Sequence, residues 1–249
     1  TALESKWKFN IPSLARRVEG ISDGHLILVG ARPNTGKTSF HASIVAGADG
    51  FAHQGAKCII LCNEEAVSRV AARYISASTL MTMKEVRVNP SLAAKRYQPV
   101  KERIYFKDST GKGMDWVESV VKYERPDIVI LDMGDKFADI RSERSDITLK
   151  AAAIHARNIS KQYDCAVIWM SQLSAEAEGR ADLNQAMMEG SKTGKAAEAD
   201  LMVLIGKTQQ AEGEEEDPIR YLNIAKNKLN GFQGKITCQL DGSRSLYSA

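Results

Sequence analysis

Gly36, Lys37 and Thr38 close the stretch Ala31-Arg32-Pro33-Asn34-Thr35-Gly36-Lys37-Thr38, and their types suit one task, the holding of a phosphate chain. The apolar run from His25 to Gly30 before them predicts a buried strand, and the segment from Ser39 to about His53 predicts a helix. A strand, a tight loop and a helix opening at Gly36 would aim successive backbone N–H groups and the positive end of the helix dipole at one point. There Lys37 offers a point charge to the β- and γ-phosphates. Thr38 offers a hydroxyl to Mg2+, an ion that takes few protein ligands beside phosphate oxygens. The spacing fits the phosphate-loop pattern G-x-x-x-x-G-K-[ST] except at its first position, where Ala31 stands; its methyl requires a negative φ. Ala31, Arg32, Pro33, Asn34, Thr35, Gly36, Lys37, Thr38 and Ser39 are the candidate nucleotide-binding residues.

Three further apolar runs end on residues that could serve such a site. Cys58-Ile59-Ile60-Leu61-Cys62 leads into Asn63-Glu64-Glu65, where the glutamates either cap the next helix or place one carboxylate to orient an attacking water. Pro126 to Leu131 closes on Asp132, whose carboxylate suits a magnesium-bound water or the second shell of the ion. Cys165 to Met170 ends in Ser171-Gln172, and a neutral amide there could touch a γ-phosphate and report its loss, or satisfy local backbone.

These residues need a scaffold, and the chain is long enough for one large core: 249 residues, 43% hydrophobic, with a net charge of +3. That charge is too small to establish a nucleic-acid partner. The four cysteines lie in apolar segments without the Cys/His pairing of a zinc site, which reads as buried reduced thiols. No apolar run approaches the ~20 residues of a membrane span, and Thr1 to Asn10 lacks a signal core, so no membrane and a cytoplasmic location are expected. Thr1 in place of Met reads as a processed chain or an excised fragment.

Residues 1–24, with Trp7, Phe9, Ile11 and Leu14, read as an entry arm docking on its own core or on a neighbouring subunit, ahead of one domain over 25–249. The spacing predicts a basic helical stretch over 82–103 broken at Asn89-Pro90, a strand over 104–106 and a helix over 114–125. It also predicts an amphipathic helix over 146–163 with Ile147, Ala151, Ile154 and Ile159 inward. Ser174 to Lys195 reads as a long polar loop, 200–205 as a strand, 209–217 as a solvated turn, and 220–225 with 235–240 as an antiparallel pair. The fold class is α/β: a mostly parallel twisted sheet flanked by helices, with a C-terminal antiparallel hairpin.

Strand and phosphate loop, strand and Glu, strand and Asp, strand and Gln, then a hairpin is the order of a RecA-like P-loop NTPase. Ala31-Arg32-Pro33 before Gly36-Lys37-Thr38 resembles the phosphate loop of DnaB-type replicative helicases. Asn63-Glu64-Glu65 is similar to the Leu-Glu-Glu of phage primase-helicases and maps the catalytic glutamate onto Glu64. Ser171-Gln172-Leu173 with Arg180-Ala181-Asp182 resembles the segment that runs from a γ-phosphate-sensing Gln into a DNA-binding loop. Lys226-Asn227-Lys228 ahead of Gly231 resembles the Lys-x-Arg hairpin that reaches the neighbouring subunit's nucleotide.

The resemblance implies a RecA-like motor: a hexameric ring that hydrolyses ATP, or another NTP, with Mg2+ between subunits, translocates on single-stranded DNA and unwinds duplex. It implies catalytic roles for Lys37, Glu64, Gln172, Lys226 and Lys228, metal roles for Thr38 and Asp132, and DNA contacts by Lys136, Arg141, Arg180, Lys192 and Lys195. Primase or other replication partners would lie outside this chain. At the arginine-finger position stands Lys228, which cannot offer a bidentate planar fork. The alternatives are a RecA-like recombinase or packaging ATPase, a nucleotide-switched scaffold without motor activity, and a P-loop kinase.

Overall fold

The computed structural model describes residues 4–138, 145–188, 194–210, 213 and 215–249. In chain order its elements are β1 (Trp7–Lys8), α1 (Pro12–Val18), β2 (Gly20–Ile21), β3 (Leu26–Ala31), α2 (Lys37–Ala46), β4 (Cys58–Cys62), α3 (Val67–Thr79), α4 (Met83–Val88), α5 (Pro90–Lys101) and β5 (Ile104–Asp108). There follow α6 (Met114–Glu124), β6 (Ile128–Asp132), a 3-10 turn (Gly134–Phe137), α7 (Ser145–Gln162), β7 (Ala166–Gln172), α8 (Lys195–Glu198), β8 (Leu201–Gly206), β9 (Ile219–Asn227), β10 (Gly234–Asp241) and β11 (Leu246–Ser248).

Among the described residues nine strands form one sheet, in the order β11-β10-β9-β8-β3-β7-β6-β4-β5. The six from β8 to β5 are parallel, and β9, β10 and β11 extend the sheet antiparallel. β3, β4, β6, β7 and β8 are buried along nearly their whole length, as parallel strands covered on both faces must be. Alternation sorts their side chains into two cores. Ile27, Val29 and Ala31 join Phe40, Ile44, Val70 and Tyr74 on one face; Leu26 and Leu28 join Val117, Val121, Ala156 and Ile159 on the other. The parallel order puts the carboxyl ends of β3, β4, β6 and β7 on one edge, where doubly wound sheets hold their ligands.

Trp7, Phe9, Ile11, Leu14, Val18 and Ile21 of the entry arm pack in the first of these cores, so the arm docks on its own chain. Two expectations are corrected. α2 ends at Ala46 rather than near His53, because Gly47 leaves helical geometry and Asp49 adopts a positive φ of 57°. Among the described residues of α7, the buried ones are Leu149, Ala152, Ala153, Ala156, Ile159 and Ser160. Ile159 points inward as expected, but Ile147, Ala151 and Ile154 are exposed. The alanines decide this, since small side chains let α7 lie close to the sheet and turn the bulkier isoleucines outward.

The 174–195 segment is not a bare loop. Leu173 bridges to Met188, and 3-10 turns form at Ala175–Ala177 and Gln185–Met187. Of the expected turn over 209–217, residues 211, 212 and 214 lie outside the described residues, while β8 and β9 on either side pair antiparallel; among the described residues no helix is long and apolar enough to cross a membrane.

Candidate nucleotide site

β3 delivers the loop to the sheet edge with Ala31 still in the strand, beside Gln172 of β7 and Ile205 of β8. Ala31 keeps a negative φ, which is what its methyl requires. The turn is made by Asn34 at φ 59° and Gly36 at φ 103°, the residue that caps α2. A side chain at Gly36 would meet Leu240 Cδ2 at 2.5 Å and the Tyr247 hydroxyl at 2.7 Å, so this position excludes anything larger.

The loop is held from beneath. Tyr247 donates from its hydroxyl to the Gly36 carbonyl at 3.1 Å, and Arg220, 1% exposed, donates from Nε to the Thr35 carbonyl at 2.9 Å. Arg220 also donates to Glu216 at 2.7 Å. From the side, Arg32 donates to Glu178 at 2.8 Å and to the Leu173 carbonyl at 3.0 Å, tying the loop to the segment after Gln172.

Above the loop lies a cavity of about 800 Å³ lined by Arg32, Pro33, Asn34, Gly36, Lys37, Thr38 and Ser39. Glu64, Glu65, Arg73, Lys207 and Gln210 complete its walls with Glu216, Leu240 and Gly242. Inside it Lys37 Nζ donates to Glu64 Oε2 at 2.8 Å. The Thr38 hydroxyl faces Glu65 Oε1 at 3.4 Å, and Arg73 approaches Glu65 at 3.8 Å. A carboxylate resting on the phosphate-loop lysine marks the space as one where negative charge is wanted and a phosphate chain could displace it.

Asp132 sits behind this wall. Burial would raise its carboxyl, but His41, then Lys37 and Lys136, outweigh burial and hold it below its ordinary value. The side-chain amide of Asn63, the residue before Glu64, exchanges hydrogen bonds with the Met133 backbone at 2.6 Å and 3.1 Å, locking the ends of β4 and β6 together. Asp132 Oδ1 is buried and, among the described residues, has no hydrogen-bond partner. That orphaned hard oxygen and the Thr38 hydroxyl fit what Mg2+ takes from a protein.

The structure therefore brings Arg32, Pro33, Asn34, Gly36, Lys37, Thr38, Ser39 and Glu64 together at the cavity, with Ala31 and Thr35 buried just below. Gln172 ends β7 next to Ala31, with its N–H bonded to Asp135, and does not line the cavity. Lys226 and Lys228 lie at the opposite edge of the sheet: Lys226 pairs with Met202 and Asn227 with Leu201, whereas Ala31 pairs with Ile205. At ~3.3 Å per residue that is roughly 13 Å along the strands. Both ammonium groups donate to α8 carbonyls, Lys226 to Ala196 at 2.6 Å and Lys228 to Ala197 at 3.3 Å. Burial, and then the neighbouring Lys228, hold the Lys226 ammonium below its ordinary value.

Among the expected DNA contacts, Lys136 and Arg180 are exposed, and Arg141 and Lys192 lie outside the described residues. Lys195 is corrected. It is fully buried, with its ammonium on Asp135 at 2.6 Å and Ser171 at 2.8 Å, and cannot meet a DNA phosphate from there.

Several residues of the site escaped the sequence reading. Period-two alternation along β9 puts Arg220 on the inward face with Leu222 and Ile224, a signal that was available. His41 is a polar residue in the apolar segment after Thr38, and Asp135 follows Asp132 by three positions.

Comparison with known proteins places residues 8–248 under the family model described as the DnaB-like helicase C terminal domain. Among solved structures, that of an ATPase domain is similar with a TM-score of 0.80 and 16% identity, over 96% of this chain and 89% of that one. The structure of a DnaB-like replicative helicase and its interactions with primase is similar with a TM-score of 0.82 and 16% identity, over 96% of this chain and 61% of that one. No curated protein matches the chain.

Proposed function

The chain belongs to the DnaB-like helicase C-terminal domain family, and from that premise we propose that it is the ATP-hydrolysing motor of a hexameric replicative helicase that moves on single-stranded DNA and unwinds duplex. One observation carries the reading. The phosphate loop with Lys37 and Glu64 occupies one edge of the sheet, while the basic pair Lys226 and Lys228 occupies the other, too far away to serve the same site. Two such half-sites on opposite edges are what a ring of identical subunits needs to complete each site with a neighbour.

When ATP enters, Lys37 exchanges Glu64 for the β- and γ-phosphates, and Glu64 is released to orient the attacking water. Thr38 and Asp132 would hold Mg2+, which neutralises charge on the phosphates when bound. Positioning and charge neutralisation carry phosphoryl transfer, so this set of residues suffices. Gln172, outside the cavity wall but beside Ala31, would register loss of the γ-phosphate through the loop, whose Arg32 donates to the Leu173 carbonyl, and pass it to the segment from Ser174, while Lys136 with Arg180 would meet the DNA backbone in a sequence-tolerant, salt-sensitive manner. The primase interaction of the similar helicase makes a primase a candidate partner here.

The test is the size of the particle by light scattering with and without Mg2+ and ATP, combined with ATPase rates with and without single-stranded DNA. A hexamer stimulated by DNA supports the motor, whereas a monomer indifferent to DNA overturns it.

A further inference from the structure

α2 is buried at every position from Thr38 to Ala46, and in the middle of it stands an imidazole. His41 has no exposed surface, and a buried polar ring is costly unless both nitrogens find partners. Both do: Nδ1 lies 2.8 Å from the Tyr74 hydroxyl and Nε2 lies 3.0 Å from Asp132 Oδ2.

The hydrogen-bond network fixes the direction of this chain. Asp132 Oδ2 can only accept, which puts the hydrogen on Nε2 and leaves Nδ1 of the neutral ring to accept from the Tyr74 hydroxyl. The two Asp132 oxygens are thereby made unequal, with Oδ2 engaged by His41 and Oδ1 buried without a partner among the described residues. Packing alone gives no reason for the arrangement, because an aliphatic side chain would fill the same place in α2 without desolvating two polar rings. Tyr74 is itself set by the edge of Phe106, with ring centroids 5.0 Å apart at 89°. His41 also lies three residues after Thr38, so one helix carries both the metal-ligand hydroxyl and the group that orients the second metal-site oxygen.

We infer that His41 is a positioning residue of the Mg2+ site, holding the Asp132 carboxylate so that Oδ1 stays free for the shell of the ion, with Tyr74 fixing the tautomer that does so. This rests on the reading of the cavity as a Mg2+–nucleotide site. Partners of this kind fix ligand orientation at metal sites, and losing them costs about 10–100-fold in metal affinity.

The experiment is equilibrium binding of a fluorescent non-hydrolysable ATP analogue to the whole chain, titrated with Mg2+ and repeated in EDTA. His41→Leu raises the Mg2+ concentration for half-saturation by about 10-fold or more and leaves binding in EDTA unchanged. Tyr74→Phe moves the same midpoint in the same direction by less, and His41→Gln, which keeps an N–H donor, recovers part of the loss. An unchanged Mg2+ midpoint in His41→Leu overturns the inference, as does an equal loss with and without Mg2+, which marks a structural role only. Should His41→Leu fail to fold, Tyr74→Phe decides, and an unchanged midpoint there overturns it. If the unsubstituted chain binds the analogue with no dependence on Mg2+, the inference falls because the site reading itself has fallen.

Discussion

Lys195 Nζ donates to Asp135 Oδ1 at 2.6 Å, and this ion pair fastens α8 to the 3-10 turn that follows β6. The same carboxylate accepts from Trp169 Nε1 at 2.9 Å, from the Ser171 hydroxyl at 2.6 Å and from the Gln172 N–H at 3.3 Å. Gln172 is thus held by a knot that also grips the far end of the 174–195 segment. Lys195→Met leaves Asp135 without its cation, but that carboxylate is 15% exposed and keeps its other donors, so the cost should be that of one charged hydrogen bond, about 1.5–3 kcal/mol. Urea unfolding should show that loss. The slope of log affinity for single-stranded DNA against log salt should not change, whereas Arg180→Ala should flatten it by about 0.7. A flatter slope in Lys195→Met would return that residue to the DNA contacts.

Arg220 tests the support beneath the loop. Its Nε bond to the Thr35 carbonyl and its bond to Glu216 join loop, strand and cavity wall. A hydrogen bond to a charged group contributes about 1.5–3 kcal/mol, so Arg220→Met should weaken ATP binding by about 10-fold or more. Arg220→Lys should not recover it, since an ammonium cannot span both partners. Calorimetric titration with a non-hydrolysable analogue is the measurement; wild-type affinity in either variant would show that the loop holds its shape unaided.

The parts that the sequence revealed share one physical basis. Cys58 to Cys62, Ile128 to Leu131 and Leu26 to Val29 are apolar without interruption, and only a strand covered on both faces needs that, so their ends announced Glu64, Asp132 and the phosphate loop. The partners of those residues were hidden because they come from distant segments. Nothing near Thr35 points to Arg220, and nothing near Asp132 points to His41, 91 positions earlier. Lys195 misled for the same reason: a lysine at the end of a polar segment looks solvated until the fold sets Asp135 against it. Ile147 and Ile154 of α7 face outward against the expectation from hydrophobicity, because close packing against the sheet favours small residues such as Ala152, Ala153 and Ala156.

Acid should loosen the amino edge of the sheet. Burial would raise the Asp200 carboxyl, but the Arg157 guanidinium and the Leu26 N–H hold it below its ordinary 3.8. Its folded value is the lower one, so its contribution is complete above the unfolded value and is lost as pH falls below 3.8 through the folded value. The stability difference between the wild type and Asp200→Asn should therefore be largest near neutrality and shrink at about pH 3. Urea midpoints at the two pH values measure it, and a constant difference would remove Asp200 from the acid response.

The two cavity glutamates are separable. Glu64 rests on Lys37 at 2.8 Å, and Glu65 lies between Thr38 and Arg73. Glu64→Gln should keep ATP binding and lose about 100-fold or more in hydrolysis, the range for a missing general base. Glu65→Gln should lose less. Near-normal turnover in Glu64→Gln would shift the water-orienting role to Glu65.

The opposite edge of the sheet decides whether sites are shared. Lys228 is exposed and bonded only loosely to the Ala197 carbonyl at 3.3 Å, while Lys226 is partly desolvated beside it, so an incoming phosphate oxygen would relieve the crowding of two like charges. Lys228→Ala subunits keep an intact phosphate loop, and Lys37→Ala subunits keep an intact basic edge. Each alone should be inactive as a ring. In mixed rings a Lys37→Ala subunit should lend its basic edge to the loop of a Lys228→Ala neighbour, and ATPase activity should reappear with a maximum near equal proportions. Rings shown by mass spectrometry to be mixed, yet inactive at every ratio, would leave Lys228 without a role in a neighbour's site.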